Sequence, residues 1–291
     1  VRPPPPRPAA FAAKPPAKPV VKSKAVASPV AKALAASPEQ QLNTLAHHLD
    51  EDRTADAYQQ LVKFAAAQAK SPLAARAALA LGYYDFKEKH FAEAGKWLKQ
   101  AAADPLLDDY ALYWTGMADR ASGDNTQALA ELQEYRRRFS TGVMSDSAVE
   151  ELARAALALD RPQEAVAALE GYERTITRPA LLLLRAQARE QAAAARGESP
   201  LAAAADYIDV YYRFPLGEEG RSAAVRMPAM RARLGEQFPG TPLTTQIARA
   251  EAFNQASRWN DLRAAYGELL PQVSGAARER ALLRIARANV E

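Results

Sequence analysis

One spacing governs this chain. A small residue is followed four positions on by a large apolar residue, and three positions further by an aromatic or small one. The triplet stands at Ala57/Leu61/Phe64, Ala94/Leu98/Ala101, Ala128/Leu132/Tyr135, Ala165/Leu169/Tyr172 and Ala204/Ile208/Tyr211, so successive units lie 37, 34, 37 and 39 residues apart. Steps of four and three return to the same side of an α-helix. Each triplet is therefore a packing stripe: the alanine permits close approach of a neighbouring helix and the larger residues fill the groove. No unit can bury such a stripe alone, so the units must stack.

The residues between the stripes supply the partner helices. In the stretch 75–105, Leu81 and Gly82 belong to a first helix, Ala94 and Leu98 to a second, and Pro105 ends the unit. Gly116, Ala128 and Leu132 repeat Gly82, Ala94 and Leu98 at an offset of 34. A period near 34 with these residue types is the tetratricopeptide signature. Alanine dominates the apolar fraction and β-branched runs are almost absent, so local preference is helical nearly throughout. The expected fold is all-α, an α-solenoid of tetratricopeptide-like hairpins. The turn texts KEKHF, SGDNT, LDRPQ and RGESP separate first from second helices, while DPLLD, RFSTGVMSD and RTITRP separate the units. Residues 217–237 read as a longer helix interrupted near Pro228, and 243–255, 259–270 and 276–290 as three further helices, the last leaving an apolar side uncovered.

The first 38 residues differ from the rest. They hold ten of the twenty prolines and no glycine, a composition expected to form an extended Pro/Lys-rich linker (1–38) ahead of the helical region (39–291). Residues 1–36 also carry seven basic residues and no acid. The net charge of +4 resides there: 38 less 7 leaves 31 basic residues against 34 acids, or −3. The helical region thus lacks the electrostatic footprint of a nucleic-acid partner. No run of 18 apolar residues suggests a spanning segment, and a start at Val1 rather than Met suggests that an export signal has been removed.

Catalytic patterns are missing from the text. There is no cysteine, which removes disulfides, thiolate metal sites and a Cys nucleophile. His47 and His48 point about 100° apart on a helix and do not share a metal at i, i+4 spacing. The acid pairs Asp108/Asp109, Glu150/Glu151 and Glu218/Glu219 read as helix starts, complementing the dipole. No catalytic, cofactor-binding or metal residue is expected. The first-helix aromatics Tyr83, Tyr84, Phe86, Tyr110, Tyr113 and Trp114 are candidates for a concave ligand wall, with Tyr83, Tyr84, Tyr113 and Trp114 the foremost.

The stretch YIDVYYRFPLGEEGRSAA, beginning at Tyr207, follows a Pro/Ala/Lys segment and a run of degenerate hairpins. That order resembles the N-terminal superhelical region of bacterial soluble lytic murein transglycosylases, with Tyr211, Tyr212, Phe214, Pro215 and Leu216 matching the family's tyrosine-rich, Phe-Pro text. The resemblance implies an exported protein of the periplasm or cell envelope, acting on peptidoglycan. It also implies cleavage between N-acetylmuramic acid and N-acetylglucosamine without water, by one glutamic acid in a lysozyme-like domain after the superhelix. The family's Glu-Ser marker precedes Gly-Leu-Met-Gln; here the sole Glu-Ser, Glu198-Ser199, is followed by PLAAAAD, so no catalytic residue carries over. The reacting part is expected beyond Glu291. The alternative is a non-enzymatic tetratricopeptide scaffold that binds partner peptides in the cell envelope.

Overall fold

The computed structural model describes residues 37–290, and among them the chain is built from α-helices and short 3₁₀ turns without strands. The expected linker falls outside the described residues except for Ser37 and Pro38, which cap and begin the first helix. The Ser37 side chain accepts from Gln40 N, the Gln40 side chain accepts from Ser37 N, and Pro38 occupies the first turn.

Five hairpins follow one another. They pair α1 (Pro38–Asp52) with α2 (Ala55–Ala67), α3 (Pro72–Lys87) with α4 (Phe91–Ala101), and α5 (Asp108–Ser122) with α6 (Asn125–Arg138). Next come α7 (Ser145–Ala158) with α8 (Pro162–Glu170), then α9 (Pro179–Arg196) with α10 (Leu201–Arg213). Every hairpin turn holds one left-handed residue: Arg53 (φ 49°), Lys89 (65°), Gly123 (93°), Asp160 (56°) and Gly197 (65°). A left-handed residue reverses the chain within a few positions, which is how helices of similar length come to lie side by side.

The stripes face inward as the spacing requires. Ala57, Leu61, Ala94, Leu98, Ala128, Leu132, Ala165, Leu169 and Ala204 are all fully buried. The hairpins at offset 34 share one detail: a Cβ added to Gly82 would meet Leu98, and one added to Gly116 would meet Leu132. Glycine is present because the second helix lies too close for any side chain. Each first helix also touches the next first helix, whereas successive second helices of the five hairpins barely meet. The array must curve with the first helices on its inner wall.

Two positions depart from the expected stripe. Ile208 is only half-buried, and Tyr207 and Val210 take its place in the core. Asp206 is drawn inward as well, buried and bound by Arg185 and Arg189 of α9, while Ala204 keeps its place in the core. Tyr172 lies beyond the end of α8, at the entry to the 3₁₀ turn Glu173–Ile176, and its hydroxyl donates to Asp146 on α7.

After α10 the path changes. Helix α11 (Glu218–Leu234) runs unbroken through Pro228, contrary to the expected interruption; the proline is exposed, so the hydrogen bond it omits is lost at a solvated position. Helices α12 (Leu243–Gln255), α13 (Trp259–Leu269) and α14 (Gly275–Val290) form a closing unit. This unit rests on α10, and α12 has at most marginal contact with α11. The YYRFP text makes the joint. Tyr211 meets Tyr212 edge to face at 4.8 Å and carries the Arg249 guanidinium of α12 at 3.8 Å, while Arg258 donates to Leu216 O at 3.2 Å. Gly220 lies against the Phe214 carbonyl and is 3.1 Å, measured from an added Cβ, from Pro215 Cα. On α14, Leu283 is 69% exposed and Leu282 45%, the uncovered apolar side expected of the last helix. No helix of the described residues is long and apolar enough to cross a membrane.

Candidate functional site

The inner wall is where a stacked array offers a continuous surface, so its residues decide what can bind. At its N-terminal end the expected aromatic set separates by environment. Tyr83 is 40% exposed, edge-on to Trp114 at 4.9 Å and approached by Lys87 Nζ at 5.6 Å. Trp114 is half-buried and also packs on Phe86 at 5.0 Å. These two residues border the wall. Tyr113 is a correction: at 5% exposure it sits in the core between Trp114 and Tyr135, since its position on α5 points toward the hairpin partner rather than the wall. Tyr84 likewise turns aside, 5.7 Å from Tyr58 of α2, with its hydroxyl 3.5 Å from Arg53 O.

The middle of the wall is charged. Arg120 of α5 pairs with Glu151 of α7, and Arg154 with Glu150 at 2.6 Å. These glutamates lie in the second turn of α7, which begins at Ser145, so their role is lateral pairing and not the dipole complement expected of them. Burial pushes the Glu151 carboxyl up, with Arg120 and Arg154 opposing the shift. Asp108/Asp109 and Glu218/Glu219 do occupy first turns, of α5 and α11.

At the C-terminal end lies a cavity of about 400 Å³ between the first helix α9 and α11, the helix that follows the last hairpin. Gln187, Glu190 and Gln191 line it from α9, Arg226 and Arg233 from α11, and Tyr207 reaches it from α10. Glu190 is already satisfied: Tyr207 donates to one oxygen at 2.7 Å and Arg226 to the other. Burial, followed by Glu190 itself, pushes the Tyr207 hydroxyl far above its ordinary range, so it stays a donor. Among the described residues, the Gln187 and Gln191 amides and the Arg233 guanidinium have no partner. The cavity's balance is two guanidiniums against one carboxylate, or +1. Residue spacing hints at half of this cavity, since Gln187 and Gln191 are one helical turn apart. The apposition of α9 and α11 is not written in either segment.

Other polar groupings spend their donors internally. Trp97 donates to the Tyr58 hydroxyl at 2.8 Å, Tyr58 donates to Asp85 at 2.8 Å, and His90 Nδ1 lies 3.5 Å from the other Asp85 oxygen. Burial raises the Asp85 carboxyl, and Tyr58 and His90 lower it again. This chain of contacts ties α2, α3 and α4 together. His47 and His48 face separate acids, Glu51 at 3.3 Å and Asp52 at 2.6 Å. Among the described residues no cluster of three His, Asp or Glu could hold a metal ion. A larger groove of about 640 Å³ opens at the hairpin ends, lined by six alanines, Val62, Trp97 and two prolines together with Lys70, Ser71, Gln100 and Asp104.

The open part of the wall thus presents aromatic rings at one end and unpaired donors around a net positive cavity at the other. No protein-family model matches the chain, and no curated protein matches it.

Proposed function

We propose that this chain is a non-catalytic binding scaffold, the superhelical region of an exported protein that works on peptidoglycan, with the inner wall of first helices holding its ligand. The observation that carries the binding role is the cavity between α9 and α11, whose Gln187, Gln191 and Arg233 donors have no partner within the described chain, whereas Arg120 and Arg154 further along the wall are paired. Tyr83 and Trp114 add aromatic surface, and sugar rings stack on the faces of such rings. The peptidoglycan context rests on the resemblance of the Tyr211 to Leu216 text to lytic murein transglycosylases, in which the reaction belongs to a separate domain. The alternative is a scaffold for a protein partner's peptide, favoured by the same amide pair, which suits main-chain groups as well as glycan.

Retention on purified, insoluble peptidoglycan tests this. The full chain is expected to sediment with sacculi at 0.3 M NaCl, to lose much of that retention with Tyr83→Ala, and to release no anhydro-muropeptides. Failure to sediment refutes the cell-wall reading, as does retention that vanishes once residues 1–36 are removed, because the basic segment alone would then be responsible. Release of anhydro-muropeptides refutes the non-catalytic assignment.

A further inference from the structure

The α9/α11 cavity has a chemistry of its own, and the ligand class it selects can be derived from which groups are already satisfied. Glu190 is held by the Tyr207 hydroxyl at 2.7 Å and by Arg226, so neither its charge nor that of Arg226 is free to attract a ligand. What remains is one uncompensated guanidinium, Arg233, and two primary amides, Gln187 and Gln191, on successive turns of α9. A guanidinium presents parallel N–H donors matched to the two oxygens of a carboxylate, and charge-assisted bonds of this kind are the stronger ones. The two amides can each donate to the carboxylate or take up the N–H and C=O of the group behind it. The volume of about 400 Å³ accommodates two or three small residues.

From this we infer that the cavity captures the free carboxylate end of a short peptide, with Arg233 on the carboxylate and Gln187 and Gln191 on the adjoining amide. The inference rests on the inner wall being the ligand face, and it specifies that ligand's chemistry. A peptide carboxylate has two sources here, the stem peptides of peptidoglycan and the C-terminus of a protein partner.

N-acetyl-trialanine is the probe, added to the full chain and to its Arg233→Gln variant. The side-chain amide NMR signals of Gln187 and Gln191 are followed, each assigned by its own Gln→Ala variant. The free acid is expected to shift both signals and to bind at least about tenfold more tightly than the C-terminal amide form, and Arg233→Gln is expected to erase that difference. Arg233 is exposed and unpaired, so its replacement leaves the fold intact, checked by an unchanged thermal midpoint. Equal binding of acid and amide overturns the inference, as does acid binding indifferent to Arg233→Gln or signals that do not move. Soluble disaccharide-tetrapeptide muropeptides form the second arm. Shifts of the same signals assign the site to the cell wall; acid-specific binding of trialanine without any response to muropeptides keeps the carboxylate site and assigns it to a protein C-terminus. Loss of sacculus retention with trialanine binding intact would remove the cell-wall reading alone.

Discussion

Gly82 and Gly95 lie in the two helices of one hairpin, α3 and α4, yet alanine is expected to act on them with opposite signs. In a helix interior alanine is favoured over glycine by about 0.5–1 kcal/mol, through chain entropy. At Gly95 an added Cβ meets nothing within 4 Å, so Gly95→Ala should realise that gain. At Gly82 the Cβ would lie 2.7 Å from Leu98 Cγ, 2.9 Å from Leu98 Cδ2 and 3.3 Å from Ala94 O. Carbon atoms settle at about 3.5–4.0 Å, so either the hairpin opens by nearly an ångström or Leu98 leaves its rotamer. Leu98 is 0% exposed, so any movement of its side chain takes place inside the core. Overpacking of this kind costs about 1–3 kcal/mol, which outweighs the entropic gain and leaves Gly82→Ala destabilised by about 1–2 kcal/mol. Urea unfolding of the full chain, followed by far-ultraviolet circular dichroism, should then separate the two variants by about 2–3 kcal/mol. Leu98→Ala supplies the internal check. Alone it costs about 2–5 kcal/mol, but in its presence Gly82→Ala should turn neutral or stabilising, a coupling of about 1–2 kcal/mol. Gly82→Ala as stable as Gly95→Ala, or absence of coupling, would refute the close approach of α3 and α4.

Three further outcomes follow from the same geometry. Asp206→Ala should cost about 3–5 kcal/mol, seen as a thermal midpoint lower by about 8–15 °C, because Arg185 would keep a half-buried charge without a carboxylate and Arg189 would retain only Glu170. Glu131, half-buried between α5 and α6, has its carboxyl pushed from 4.5 up to about 7 by burial and then by Asp119, against the pull of Lys99. The folded chain therefore holds a proton that the unfolded chain has released. Stability from this group is present below pH 4.5 and lost as pH rises to about 7, by about 1–2 kcal/mol after allowance for partial solvation. Glu131→Gln should flatten urea-derived stability across that window and be the more stable form at pH 8. Lys89 holds φ 65° in the α3–α4 turn, so Lys89→Gly should stabilise by about 1 kcal/mol, while Gly123→Lys at φ 93° should lose at least as much, both read by the urea midpoint.

The hairpins were legible because their determinants are local. Gly82 and Leu98 are 16 residues apart, and a spacing repeated at 34 residues reports the same contact twice. The Ala94, Ala128 and Ala165 flanks are buried as that spacing demands. The phase of α10 was not legible, because a charged residue, Asp206, is buried there with its ion partners while Ile208 of the apolar stripe lies off centre. The burial of Tyr113 is hidden from the sequence for a related reason: an aromatic on a first helix can serve the wall or the hairpin interior, and only the rotation of α5 chooses. The cavity at α9 and α11 escaped notice because Gln191 and Arg226 are 35 residues apart and meet through stacking, which no local pattern encodes.

The seat of α12 on α10, and not on α11, makes the array fork. In a simple stack each unit is linked to the rest only through its immediate neighbours, so opening one would cut the molecule in two. Here α10 has a partner on either side of the fork, and α11 is a side arm held by α9 and α10. Residues 218–234 can thus fray and close again while 243–290 stay moored through Arg249 on Tyr211. Backbone amides of α11 should accordingly exchange with solvent through their own opening, ahead of both the helices that precede it and the helices that follow.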